Sequence, residues 1–220
     1  MIIDLDLQMA QLEVKLLRAQ FNSHFLFNNL NAINYCILQN DNQKASSYLT
    51  LFSRFLRRIA GHSQRDFVKL TDEIETLHQY VQIEKLRFAR AIQLVVTVEP
   101  GIETDGVLVP SLILHSHIEN MIWHNLDARA DRGVLTLAVQ KKSGKIHILL
   151  ETNGASSETT DLRAKPGARE SKLELTVKRL QLLNERHGTD LELRMTKKDA
   201  FRKIIGVDLS FSPFASQTLP

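Results

Sequence analysis

The sequence predicts an α+β protein: an N-terminal helical hairpin that pairs across a dimer as a four-helix bundle, followed by an α/β sandwich. Three observations predict it. Ile2, Leu5, Met9, Leu12, Leu16, Ala19, Ser23, Leu26, Leu30, Ile33 and Ile37 recur at alternating steps of three and four, and ten of these eleven are apolar. That is a heptad seam. Asn40-Asp41-Asn42 is a loop signal, and Ala45, Tyr48, Phe52, Phe55 and Ile59 then mark a second amphipathic helix. From Phe67 onward, strand and helix patterns alternate in an order that suits a mixed sheet covered by helices on one face.

The seam would also fit a long helix in a monomeric core, but polar residues on its other faces favour a helix dimer. Its one break is Ser23, directly before a histidine. Gly61 is a plausible end for the second helix, and residues 61–69 are the expected boundary between two units, 1–62 and 67–213. Arg54, Arg57, Arg58 and Arg65 make the far end of that helix basic; such runs are usually solvated faces, and a docking patch for an acidic partner is the sharper alternative. Phe67 to Leu70 reads as a short strand or connector. Thr71, Asp72 and Glu73 then open a helix, a capping hydroxyl with acids near the positive dipole end, and that helix runs to about Ala89.

Ile92, Leu94, Val96 and Val98 alternate as a strand closed by Pro100-Gly101. Pro110 sits where a helix begins, and that helix spans residues 111–126. Residues 134–139 and 145–150 read as a hairpin around Lys142-Ser143-Gly144, and residues 156–170 as a loop. Leu173, Val177, Leu180 and Leu183 mark a helix ending near Gly188. Residues 191–195 and 203–211 form a last hairpin, and the tail after Pro213 is expected to be loose.

Composition bounds the function classes. At 220 residues, 43% hydrophobic and 24% charged, the chain has the profile of a soluble globular protein. A net charge of +3 gives no electrostatic case for nucleic acid. The single cysteine, Cys36, fits a reducing cytosol, and no apolar run approaches the ~18 to 20 residues of a membrane span. The expected location is cytoplasmic.

The stretch that carries the chemistry runs from Gln20 to Asn34. It sets His24 before Phe25, Leu26 and Phe27, with Asn28, Asn29 and Asn31 following on one helix. A nucleophilic histidine needs one ring nitrogen free and a polar neighbour to orient the other. Asn28, four residues on, shares its face and could do that orienting. Taken alone, a helical histidine is more often an ordinary surface or core residue.

Gln20, then Ser23-His24-Phe25-Leu26-Phe27-Asn28 and Leu30-Asn31, resembles the phosphoacceptor segment of the LytS/YehU type of bacterial sensor histidine kinase. Tyr80 to Phe88 resembles that family's second signature, and Glu119-Asn120-Met121-Ile122-Trp123-His124 its N-box. The resemblance implies a GHKL-type ATPase lobe after the hairpin, with ATP and Mg²⁺ as cofactors and a response regulator as partner. His24 would accept a phosphoryl group, Glu119 would help activate it, and Asn120 would offer an oxygen to Mg²⁺. His124, Asn153 and Gly154 would belong to the nucleotide site.

The nucleotide motifs depart from the family. Its adenine box opens with an aspartate, but here the run is Thr152-Asn153-Gly154-Ala155-Ser156, with Ser156 in place of a second glycine. Trp123 stands where lysine is common, and Asn125 where glycine is usual. Before Arg179-Leu180, which resembles a closing arginine–leucine pair, no GxG occurs, so the backbone cradle for phosphates is missing. ATP binding is therefore expected to be weak or lost. The implied protein is a pseudokinase or signalling partner, a homodimer or a heterodimer with a related kinase. An active ATP-dependent histidine kinase and a purely structural dimerisation module are the alternatives. His115, His117 and His124 invite a zinc reading, but His115 and His117 do not share a helix face.

Overall fold

The computed structural model describes residues 23–88, 91–122, 132–152, 172–198 and 204–213. The seam positions from Ile2 to Ala19, the loop expected over 156–170 and the tail after Pro213 lie outside them.

Helix α1 (Ser23–Leu38) turns back through Asn40, which takes the left-handed conformation at φ 59°, into α2 (Asn42–His62). Asp41 caps α2 by accepting the Lys44 N–H at 3.1 Å. α2 buries Ala45, Tyr48, Phe52, Phe55, Ile59 and His62, one continuous stripe at steps of three and four. It does not end at Gly61. The helix continues through His62 to Ser63, which stays right-handed and bonds back to the Ile59 carbonyl, so no glycine conformation is needed there.

The described half of the seam divides. Ile33 is buried with Phe25, Asn29 and Cys36, while Leu26 is half-buried and Leu30 and Ile37 are each 50% exposed. The physical reason is that α1 is apolar on two sides, and its own neighbour α2 occupies one of them.

Strand β1 (Phe67–Lys69) leads into α3 (Leu70–Phe88), then β2 (Ala91–Val98). A short β3 (Leu108–Pro110) pairs antiparallel with β1, with Phe67 opposite Pro110. Pro110 therefore ends a strand instead of starting a helix, in a pair at the border of a two-stranded sheet where its missing N–H is tolerated. Helix α4 (Ile113–Asn120) begins three residues later, after Leu112 at φ 58°.

The main sheet has the order β2-β4-β5-β7-β6, from β2 and β4 (Arg132–Lys142), β5 (Lys145–Thr152), β6 (Glu192–Lys198) and β7 (Ile204–Phe211). Only β2–β4 is parallel. That pairing requires a crossover, and the chain through β3 and α4 supplies it. Ser143 and Gly144, both at positive φ, form the two-residue turn between β4 and β5, as the sequence predicts. β5 alternates, with Ile146, Ile148, Leu150 and Thr152 buried and the residues between them half-buried. Helix α5 (Lys172–His187) ends at Gly188, φ 64°. One hydrophobic core runs from Phe25, Tyr48 and Phe55 through Tyr80 and Ile118 to Leu137, Ile148 and Leu209. The hairpin is thus packed on the sheet-bearing part through α3 and α4. Among the described residues no helix is long and apolar enough to cross a membrane.

Candidate functional site

His24 is the second residue of α1. Its neighbour Phe25 is buried in an aromatic cluster, with ring centroids 6.0 Å from Phe52, 5.9 Å from Phe55 and 5.7 Å from Tyr80. These rings come from α2 and α3, so the start of α1 is anchored against two other helices. Asn28 is half-buried and Asn31 exposed. The fully buried amide is the next one, Asn29, whose Nδ2 donates to the Phe25 carbonyl at 2.8 Å and whose Oδ1 accepts from the Tyr48 hydroxyl at 2.6 Å.

Glu119 lies near the end of α4 and is 5% exposed. It lines a narrow cavity of about 10 Å³, room for one water molecule, together with Phe25, Phe55, Tyr80 and His115. His115 stacks edge-on against Tyr80, with centroids 5.0 Å apart. The residue next to His24 and the carboxylate expected to act on it therefore border the same space. Asn120 ends α4. His124, Asn153 and Gly154 lie outside the described residues. Thr152, at the end of β5, is 1% exposed on the buried side of that strand.

What holds α4 in place is a buried polar frame that sequence reasoning missed. A helix start leaves backbone N–H groups without partners, and Leu112 has no side-chain acceptor to offer. Glu73, fully buried on α3, fills the role: its carboxylate accepts the N–H groups of Leu112 at 3.1 Å, Leu114 at 3.0 Å and His115 at 3.4 Å. The sequence places Glu73 at the positive end of its own helix; the side chain serves another helix instead. Burial pushes its carboxyl up to about 7, against the pull of the three N–H donors and Arg179.

Arg179 completes the frame from α5. It donates to the Ser111 carbonyl at 2.5 Å and to the Ser111 hydroxyl at 2.9 Å. Ser111 in turn donates its hydroxyl to the Arg65 carbonyl at 2.6 Å and its N–H to the Asp66 carbonyl at 3.0 Å. The Asp66 carboxylate accepts from His187 at 2.7 Å. The segment between the hairpin and the sheet is thereby tied to the start of α4 and the end of α5.

A second buried pair sits on α3. Glu84 is fully buried and meets Arg87 at 2.6 Å. Burial pushes its carboxyl up to about 7; Arg87 opposes the shift and the charge of Glu119 adds to it. The i, i+3 spacing of Glu84 and Arg87 is visible in the sequence and was the one available signal for the pair.

A sequence profile of the histidine kinase family matches residues 12–92. Sensor histidine kinase BtsS of Escherichia coli (strain K12) is 33% identical over 145 residues, 66% of this chain and 25% of that protein. Sensor protein LytS of Oceanobacillus iheyensis is 30% identical over 150 residues, 68% of this chain and 25% of that protein. The chain belongs to the LytS-type sensor histidine kinases. It spans about a quarter of the length of the curated relatives it matches. Among solved structures, the catalytic domain of histidine kinase ThkA superposes at a TM-score of 0.41 and 13% identity, over 68% of this chain and 97% of that one. On this LytS-type chain the family profile covers α1, α2, β1 and α3, and stops just inside β2.

Proposed function

We propose that this chain works in two-component signalling as a phosphoacceptor and partner, with His24 receiving a phosphoryl group and its own ATP site weakened. One observation carries the reading: Phe25, adjoining His24, and Glu119 line a single narrow cavity. An imidazole nitrogen of His24 attacks the γ-phosphorus of ATP held by an intact relative. The N–P bond forms, the P–O bond to ADP breaks, and a carboxylate such as Glu119 is the expected acceptor of the ring proton.

The donor set fits ATP poorly. A neutral, buried Thr152 hydroxyl stands where the family resemblance places an adenine-binding carboxylate, so the charge-assisted bond is missing. No step is therefore routed through nucleotide or Mg²⁺ on this chain, and Asn120, His124, Asn153 and Gly154 are proposed only as remnants of that site. The unit 1–62 is proposed to dimerise and 67–213 to form the ATPase-like lobe. Phe27, Leu30, Tyr35, Ile37 and Leu38 leave an apolar face of α1 uncovered, which supports pairing with a second copy or with a related kinase. A response regulator is the proposed downstream partner, and the buried free Cys36 supports a cytoplasmic setting.

Calorimetry with ATP and Mg²⁺ tests the weakened site. Little heat is expected below about millimolar ligand. Micromolar binding, followed by phosphate on His24 with no other kinase present, would replace this reading with an active kinase.

A further inference from the structure

Helix α1 has a problem that apolar burial does not solve. It packs Phe25, Ile33 and Cys36 against the rest of the chain, yet Phe27, Leu30, Tyr35, Ile37 and Leu38, on its other side, are between 50% and 69% exposed. Each residue turns a helix by about 100°, so rotating α1 would exchange one apolar set for another, at the cost of the ring contacts of Phe25 with Phe52, Phe55 and Tyr80. The three-residue link of Gln39, Asn40 and Asp41 ties the ends of α1 and α2, with the Asn40 N–H donating to the Ile37 carbonyl at 2.9 Å and the Asp41 N–H to the Cys36 carbonyl at 3.0 Å, which fixes where the chain leaves α1. Between that link and the aromatic anchor of Phe25, a polar contact also bears on which side of α1 faces α2.

The only fully buried polar side chain on α1 among the described residues is Asn29. Its amide is used at both ends, with Nδ2 on the Phe25 carbonyl at 2.8 Å and Oδ1 receiving the Tyr48 hydroxyl at 2.6 Å. Chemistry fixes the orientation of the amide, because a carbonyl can only accept and so must face Nδ2. Rotation of α1 by one residue would carry Oδ1 away from Tyr48 and cost that buried hydroxyl its partner, whereas the Nδ2 bond to Phe25 lies within α1 and turns with it. A buried amide of this kind specifies one helix arrangement where apolar contacts permit several. Tyr48 is itself fully buried on α2.

We propose that Asn29 and Tyr48 are positioning residues: their hydrogen bond fixes the rotational setting of α1 and thereby aims the turn that carries His24. This rests on reading His24 as the phosphoacceptor.

Apolar replacement of both partners separates aiming from folding. Losing one partner leaves the other buried and unsatisfied, whereas Asn29→Leu with Tyr48→Phe removes the whole pair, so the double variant is expected to melt near the wild type. Two readouts are taken on the full chain. The first is the distance between spin labels at two exposed positions, Asn34→Cys and Ser47→Cys, with Cys36→Ala. The second is phosphorylation of His24 by an intact LytS-type kinase supplied with ATP.

With labelled chain diluted into an excess of unlabelled chain, so that distances within one chain are read, the wild type should show one narrow distance. The double variant should show a broadened or second distance, and its phosphorylation should fall about tenfold to a hundredfold despite retained stability. Tyr48→Phe alone, read well below its melting point, gives the same comparison if the double variant fails to fold. An unchanged distance overturns the proposal. So does an unchanged rate beside a changed distance, since the pair would then set the helix without aiming the histidine. If the wild type accepts no phosphoryl group, the proposed function fails, and the distance measurement still decides whether the pair sets α1.

Discussion

Glu84 and Glu73 are the residues whose burial has the most direct consequence in solution. Folding raises both carboxyls from 4.5 to about 7, chiefly through burial. A raised carboxyl favours the protonated fold, so their contribution is complete below pH 4.5 and is lost as pH rises through about 7. His62 works the other way: burial lowers its pKa below 6.5, so its contribution is present above that pH and lost as pH falls. Comparing variants isolates each group. Glu84→Gln should flatten the fall in melting temperature between pH 4.5 and 7 relative to the wild type; parallel curves would show that Glu84 does not titrate there. Glu73→Ala strips the acceptor from three buried N–H groups and should cost about 3 kcal/mol or more, read from denaturant midpoints. The two acids were visible in the sequence as letters, but their roles were not. Glu73 acts on a helix 39 residues away from it, through a contact that no local spacing encodes.

At the scale of elements, legibility followed periodicity. The stripe of α2, the alternation of β5 and the Ser143-Gly144 turn each carry a local pattern that the structure reproduces. β3 does not: Leu108-Val109-Pro110 is too short to show a period, and its partners in β1 lie 39 to 43 residues earlier. α1 was legible as a helix but not in its facing, since a helix apolar on two sides gives a pattern satisfied by either. The strength of the α2 stripe can be measured. Phe55 is 2% exposed and touches Phe25, Tyr80 and His115. Phe55→Ala should destabilise the fold by about 3 to 5 kcal/mol, because it opens a cavity where hairpin and α4 meet. A loss under about 1 kcal/mol would mean that the hairpin is not held to the lobe through this cluster.

For the whole molecule, the hairpin presents one apolar side inward and one outward, and the sheet-bearing part presents a helix, α4, framed by buried polar contacts. The outward side should be covered by pairing. Leu30→Lys with Ile37→Lys leaves the inner stripe intact and should convert a sedimenting dimer into a folded monomer. A monomeric wild type at micromolar concentration would remove the dimer from the account. The candidate site was partly legible: His24 and Glu119 were singled out from motifs, and the cavity that Glu119 and Phe25, the neighbour of His24, border depends on aromatic packing among four helices that sequence alone does not place. The most direct test of the central claim is incubation with labelled ATP, alone and beside an intact LytS-type kinase, followed by mapping of phosphohistidine. Label is expected on His24 only in the mixture, and His24→Gln should abolish it. Label on His24 with ATP alone, or none in the mixture, would contradict the claim.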